Sequence, residues 1–208
     1  MTDVSTESLA VPIAKDHAYA TAAYLQSTFY EQLVEHAFVA ELLQEAWFGH
    51  KKVIEVLRSE IDASGFDLVL ECGEITRHVQ LKTSGLGATT AYQKVSLKLG
   101  EKRGGCVVWI VRDETCAASH HRVQLSYRFF GTPASEAKLD VSNPIFKVAR
   151  HTKGDAFGKK NPRPGIRLVP KSAFFPMKIA GSKKNTMNAG ELLYWLFGIG
   201  DQPAVRLD

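Results

Sequence analysis

Three polar side chains, Asp67, Gln80 and Lys82, interrupt two short apolar segments of the chain. The segments read GFDLV and VQLKTS. Alternate residues of a strand share one face, so Gln80 and Lys82 point to one side while Val79 and Leu81 point to the other. The acid and the amide on this face offer oxygen ligands of the kind that suit a hard divalent cation, and the amine adds a positive charge beside them.

The two segments fit the two strands of a hairpin. With the turn centred between Glu74 and Ile75, Asp67 lies opposite Lys82. Gln80 is then a diagonal neighbour of Asp67, at ~7–8 Å between the backbones, and the polar ends of both can converge on one ion. The alternative is that Asp67 caps a turn, while Gln80 and Lys82 form the solvated face of an edge hairpin.

The elements around this hairpin follow from periodicity and from the positions of Gly and Pro. Residues 16–48 contain neither Gly nor Pro and are rich in Ala, Leu, Glu and Gln, which predicts a long helix, with a break near residues 27–28 left open. Other apolar runs and Gly-containing or polar segments predict the remaining elements. These are strands at 53–57, 66–70, 78–82, 106–111 and 126–131, turns at 62–65 and 72–76, a helix at 188–198, and an extended, mobile basic loop at 151–170. The segment 91–102 fits a helix or a strand, and a helix is favoured because the next element reads as a fully buried strand.

Composition and charge place the chain among globular proteins with a basic C-terminal part. Of 208 residues, 45% are hydrophobic and 23% are charged. Residues 1–144 contain 14 Lys and Arg against 18 Asp and Glu, whereas residues 145–208 contain 12 against 4. This asymmetry indicates a polyanion such as nucleic acid, although a solvated surface explains it equally well.

The sequence shows neither a targeting signal nor the cysteine spacing of a zinc site. No apolar stretch approaches the roughly 20 residues that cross a bilayer, and the start MTDVSTES lacks the parts of a signal peptide. We therefore expect a cytoplasmic protein without a membrane partner. Cys72, Cys106 and Cys116 are odd in number and not in CxxC spacing, which favours reduced thiols over a zinc site or disulfides.

Asp67 followed by Gln80-x-Lys82 and then Thr83-Ser84 resembles the PD-(D/E)XK nuclease superfamily. It is most similar to the branch in which Gln replaces the second acid and the strand reads (V)QxK(S/T). The resemblance covers residues 30–112.

The superfamily's core runs helix, three antiparallel strands, helix and strand, which is the order predicted above. The resemblance thus implies an α/β fold with a restriction-endonuclease-like core over residues 17–125. A flexible tail (1–16) would precede this core, and a basic C-terminal extension (126–208) would pack on it.

The resemblance also implies a function, the metal-dependent hydrolysis of DNA phosphodiesters by an endonuclease of the restriction, defence or repair type. Mg²⁺ or Mn²⁺ would be the cofactor, bound by Asp67, Gln80 and the backbone carbonyl of Leu81. Lys82 would position or deprotonate the attacking water and stabilise charge in the transition state.

A glutamate on the first helix completes the metal site in this superfamily. The candidates are Glu31, Glu35, Glu41 and Glu45, and the helix is apolar nearly all round, so a helical wheel does not choose among them. The resemblance favours Glu35 as a catalytic residue and metal ligand, with Glu41 second.

Contacts to nucleic acid are expected from the residues that follow Lys82 and from the basic segment. These candidates are Thr83, Ser84, Lys159, Lys160, Arg163 and Arg167.

An amide at position 80 removes one negative charge and weakens a metal site. The sequence therefore leaves open a catalytically inactive nucleic-acid-binding or assembly module with the same fold, and less readily an interaction domain without nucleic acid. It also leaves open DNA against RNA as the substrate, and a homodimer as the assembly.

Overall fold

The computed structural model describes residues 27–59, 64–115, 117–154, 158–176 and 185–200. Its helices are α1 (Ser27–Gln44), which continues into a π-helical turn (Glu45–Gly49), α2 (Leu97–Gly100), α3 (Ala117–His120) and α4 (Ala189–Phe197), with a 3₁₀ turn at Lys171–Ala173. Its strands are β1 (Glu55–Arg58), β2 (Leu68–Cys72), β3 (Ile75–Gly85), β4 (Tyr92–Ser96), β5 (Gly105–Asp113), β6 (Gln124–Phe130), β7 (Lys147–Arg150) and β8 (Pro162–Pro170).

These strands form two sheets. The larger has five strands in the order β1-β2-β3-β5-β6, and the smaller has three in the order β4-β8-β7. β3 and β5 run parallel, whereas every other pair is antiparallel. Parallel neighbours need a crossover connection, and here the crossover carries β4 and α2. The predicted α/β class is confirmed by this mixed architecture.

Side-chain alternation along the central strands divides the interior into two cores. One face of the larger sheet packs against α1 and α4 through residues such as Phe38, Val79 and Leu192. The opposite face packs against the smaller sheet, where Trp109 and Val169 are buried. Gln80 and Lys82 share the face of this second core, so the polar side of β3 is covered by the smaller sheet.

Local sequence signals predicted several elements correctly. β5 is buried from residue 105 to 111, as its continuous apolar run indicates. α4 begins after Asn188, whose side chain forms a capping box with Glu191, and ends at Gly198 in the left-handed conformation. The predicted strands at 53–57, 66–70, 78–82 and 126–131 correspond to β1, β2, β3 and β6.

Two predictions are wrong, and both concern the smaller sheet. Most of the helix predicted at 91–102 is β4, followed by only the single turn of α2. The second half of the loop predicted at 151–170 is β8, which pairs with β4 on one side and β7 on the other. Pro164 is tolerated in this strand because the register of β7 and β8 is interrupted there by a bulge.

The predicted boundary between core and extension, at residue 125, lies inside β6. β6 pairs with β5 along its length, and α4 belongs to the core on the side of α1. The C-terminal part of the chain therefore completes both cores.

The predicted tail at 1–16, the helix segment at 16–26 and Cys116 lie outside the described residues, while Cys72 and Cys106 are free thiols.

Gly104 fixes the place where the chain enters β5 beside β3. Its φ of 64° is left-handed, its N–H donates to the carbonyl of Glu136 at 2.8 Å, and its own carbonyl accepts from the N–H of His78 at 3.2 Å. A Cβ at this position would collide with the backbone carbonyl oxygen of Thr76. The parallel pairing therefore requires glycine here.

We predict that Gly104→Ala destabilises the protein much more than Gly87→Ala. Gly87 also has a left-handed φ, of 80°, but a Cβ there meets nothing within 4 Å. Gly87→Ala should cost about 1–2 kcal/mol for its conformation alone, and Gly104→Ala a further ~1–3 kcal/mol for the backbone displacement. Urea unfolding measures both free energies, and equal losses would contradict the assigned contact.

Candidate functional site

The β2–β3 hairpin places Asp67 directly across from Gln80. Cys72 pairs with Ile75 and encloses a two-residue turn, and one further step beyond the last pair of this ladder brings Asp67 opposite Gln80. The predicted register, with Asp67 opposite Lys82, is wrong by two residues. Because side chains alternate with a period of two, this shift leaves every residue on its predicted face.

The Asp67 carboxylate is fixed against the backbone of β3. Its Oδ2 accepts a hydrogen bond from the N–H of Leu81 at 2.6 Å, while the N–H of Asp67 donates to the carbonyl of Val79 at 2.9 Å. The carboxylate thus lies at the peptide between Gln80 and Leu81. The structure thus brings Asp67 next to Gln80, and Lys82 follows two residues later on the same face of β3.

Gln80 lies in the seam between the two sheets. Only 8% of the residue is exposed, and its Oε1 accepts from the N–H of Ser96 at 3.3 Å. Ser96 is the N-cap residue of α2, and Gly65 packs so closely that a Cβ there would lie 2.6 Å from its Oγ. An amide oxygen has two lone pairs, so Gln80 can accept a second interaction.

Ser96 is a residue of this neighbourhood that the sequence analysis missed. Serine is a favoured N-cap residue, and the Ser96 side chain does accept from the backbone N–H of Lys98. That local signal says nothing about Gln80, because the contact joins two segments 16 residues apart. Only the three-dimensional structure shows it.

The two glutamates proposed on α1 lie on the other side of the larger sheet. Glu35 pairs with Arg58, with 3.2 Å between Oε1 and Nε, and Arg58 pairs in β1–β2 with the first-core residue Leu68. Glu41 accepts a short hydrogen bond from the hydroxyl of Tyr127 on β6. The structure therefore does not bring either carboxylate to Asp67.

Burial governs the ionisation of Glu41. Desolvation raises the pKa of its carboxyl above the ordinary value, the hydrogen bond from Tyr127 lowers it, and the nearby charge of Glu45 raises it again. Burial likewise raises the pKa of the Tyr127 hydroxyl, as does its bond to Glu41. The hydrogen bond that Tyr127 donates to Glu41 therefore links β6 to α1.

Thr83 and Ser84, which follow Lys82, and His78, which precedes it, have different surroundings. Thr83 is exposed and points to the opposite side from Ser84. The Ser84 hydroxyl accepts from the indole N–H of Trp109 at 2.9 Å. His78, on the polar face of β3, has its Nδ1 2.9 Å from the carbonyl of Arg103. Ser84 and His78 thus support neighbouring segments.

The basic candidates lie in and before β8. Lys159, Lys160 and Arg163 are exposed, whereas Arg167 is half-buried and donates to the carbonyl of Pro164 at 2.7 Å. β8 pairs with β4, whose last residue Ser96 holds Gln80. The exposed basic residues are therefore carried by the same small sheet that covers the polar face of β3.

The oxygen ligands that Asp67 and Gln80 offer suit a hard cation, but they are few. Asp67 and Gln80 offer carboxylate and amide oxygens, the ligand types that Mg²⁺ and Mn²⁺ prefer. Within the described ranges, no group of three or more His, Cys, Asp or Glu side chains is placed to hold a metal ion. A cation at Asp67 would therefore rely on the amide of Gln80, on backbone carbonyls and on water.

We predict that Glu41→Gln changes the pH dependence of stability. A carboxyl whose pKa is raised in the folded state keeps a proton that the unfolded chain releases, so wild-type stability falls as pH rises through and above the ordinary glutamate range. Glutamine keeps an acceptor for Tyr127 without the buried charge. The stability of the variant relative to wild type should thus increase as the pH rises from about 4, near the ordinary pKa of glutamate, to about 7.

Thermal unfolding at a series of pH values measures this difference. Glu31→Gln, at an exposed position of α1, is the matched control and should parallel wild type. A Glu41→Gln variant that also parallels wild type at every pH would contradict the assigned role of burial.

Comparisons with known proteins add no relative of this chain. No family model, no curated protein and no solved structure matches it. In the parts of the chain that the structure describes, no helix is both long and apolar enough to cross a membrane.

Proposed function

We propose that the chain is a metal-dependent phosphodiesterase that acts on nucleic acid, in the first place DNA, with a restriction-endonuclease-like core. The observation that carries this proposal is the position of the Asp67 carboxylate, which accepts from the N–H of Leu81, the residue between Gln80 and Lys82. Gln80 and Lys82 thus lie on one face of β3, and Asp67, the residue before β2, is bonded to the backbone between them.

The order and directions of the elements support the core. α1 is followed by three antiparallel strands, then by a connection that contains α2, and then by β5 parallel to β3. This is the order that the restriction-endonuclease-like fold implies. β6 and the smaller sheet would be additions to such a core.

The chain's own oxygens define how a cation would be held. Asp67, Gln80 and the backbone carbonyl of Leu81 would bind Mg²⁺ or Mn²⁺, which when bound polarises the phosphate and a water molecule. The N–H of Leu81 orients the Asp67 carboxylate, and Ser96 orients the amide of Gln80. Oxygens held in place before binding lower the reorganisation that binding requires.

Lys82 would act on the water and on the phosphate. Its ammonium can donate a hydrogen bond to a phosphate oxygen and stabilise the negative charge that grows as water attacks phosphorus. As a neutral amine it can accept the proton that the water loses. Its half-buried position at the seam keeps it close to Asp67 without removing it from solvent.

A second candidate function is nucleic-acid binding without cleavage, by the same fold. It is favoured by the engagement of Gln80 with Ser96 and by the engagement of the α1 carboxylates of Glu35 and Glu41 with Arg58 and Tyr127. One ionised ligand binds a divalent cation more weakly than two. The two candidates share the basic segment and differ in cleavage.

We predict that the protein nicks supercoiled plasmid DNA in Mg²⁺ or Mn²⁺, and that Asp67→Asn and Lys82→Met each lower the rate at least ~100-fold. Asparagine retains an acceptor for the N–H of Leu81, and methionine retains the length of lysine, so both variants should fold. Gel quantification of nicked product measures the rate.

Lys138→Met, at an exposed position outside the group, is the control and should keep wild-type activity. Equal nicking by all variants would refute the site. Salt-sensitive DNA binding by a wild-type protein that does not cleave would refute the hydrolase and support the second candidate.

We predict that the triple variant Lys159→Gln, Lys160→Gln, Arg163→Gln binds DNA with a weaker salt dependence. Each lysine or arginine that contacts a phosphate contributes about 0.9 to the slope of log affinity against log salt, so the slope should fall by about 2–3. Fluorescence anisotropy over a salt series measures it. A control triple at exposed Lys52, Arg122 and Lys138 should change the slope by less than about 1, and equal effects would exclude a local binding surface.

A further inference from the structure

A group of cations surrounds the buried indole of Trp109 beside the proposed site. Strand pairing aligns Lys82, Trp109 and Arg128 across β3, β5 and β6 in one row on one face. The guanidinium carbon of Arg128 lies 5.7 Å from the centre of the Trp109 ring, and the ammonium of Lys171 lies 5.8 Å from it. Two positive charges thus lie over this side chain, and Lys82 is next to Trp109 in the same row.

Arg128 differs from its neighbours because it is almost completely buried. Only 4% of the residue is exposed, and its Nε has no hydrogen-bond partner. In the described parts of the chain no carboxylate forms an ion pair with it. Burial lowers the pKa of its guanidinium from the ordinary value, but an arginine remains charged at neutral pH.

Arg77 shows what a structural arginine looks like in this protein. It is also fully buried, on the opposite face of the sheet, and its Nε is likewise without a partner. Its terminal nitrogens, however, donate to the carbonyls of Thr132 and Ser135, so the loop after β6 satisfies most of the group. No corresponding acceptor is described for Arg128.

The indole alone does not compensate for burying the charge of Arg128. A cation over an aromatic ring is stabilised, yet the buried Nε of Arg128 still lacks an acceptor, and an unpaired buried donor is unfavourable. An anion with several oxygens would supply such an acceptor, and the planar donor fork of arginine matches phosphate geometry. Lys82 and Lys171 are half-buried, so the group reaches solvent at its margin.

We propose that Arg128, flanked by Lys82 and Lys171, is a phosphate-binding residue that holds a backbone phosphate next to the one that reacts at Asp67 and Lys82. The inference rests on the proposed function for the identity of the ligand, because nucleic acid is the polyanion that supplies adjacent phosphates. Arg128 would bind and position the strand without touching the reacting atoms.

Phosphate binding without metal tests this role separately from cleavage. In EDTA, inorganic phosphate should raise the melting temperature of wild type as mass action requires, and a short single-stranded DNA should bind more tightly than phosphate. Arg128→Met should abolish the response to phosphate, weaken DNA binding about 10-fold or more, and lower the salt slope by about 0.7, the single-strand value. Without ligand it should be as stable as wild type or more stable, because an uncompensated buried charge is gone.

Arg122→Met removes the same charge at an exposed position and should keep the phosphate response. An Arg128→Met variant that loses stability but keeps wild-type phosphate and DNA binding would overturn the proposal and leave Arg128 as a packing residue. If Arg128→Met does not fold, Arg128→Lys decides: weaker phosphate binding supports the role, and unchanged binding overturns it. Cleavage by wild type together with unchanged binding by the Arg128 variants would refute this inference alone, leaving the proposed function intact.

Discussion

The parallel pairing of β3 with β5 is the constraint on which the rest of this structure depends. It places β3 in the middle of the larger sheet, so both of its faces must be covered. Val79 joins the core under α1 and α4, whereas Gln80 enters the seam with the smaller sheet. A polar residue in such a seam needs a partner, and the crossover between the two strands supplies one, because it carries Ser96.

The hairpin shows which part of a site a sequence determines. Alternation of apolar and polar residues assigns faces, and the assignment survives because an error of two residues does not change it. The register itself depends on the turn, where Gly73 adopts a left-handed φ of 61°. Centring the turn one residue earlier moves Asp67 from a diagonal to a direct neighbour of Gln80, and the hydrophobic pattern contains no information that separates these two registers.

The same distinction explains the remaining successes and failures. α4 and β5 were predictable because caps and a continuous apolar run are local signals. β4 and β8 were not, because each is stabilised by pairing with a segment some 70 residues away. The choice between Glu35 and Glu41 was undetermined for a related reason. Their partners, Arg58 and Tyr127, come from strands that contact the helix only in the folded protein. A helical wheel therefore cannot predict either contact.

The amide at position 80 follows from the surroundings that the two sheets create. A carboxylate there would be almost fully buried and directly across from Asp67, and both desolvation and like-charge repulsion would raise its pKa. Glutamine avoids this cost and still presents an oxygen to Ser96.

A site with one carboxylate binds a divalent cation less strongly, so more of the positive charge that a phosphate needs must come from side chains. Lys82, Arg128 and Lys171 lie on the same face of the seam, around Trp109. The neutral amide and these cations are therefore compatible with one electrostatic arrangement, in which, under the proposed function, side chains rather than a metal would supply most of the charge that a phosphate backbone meets.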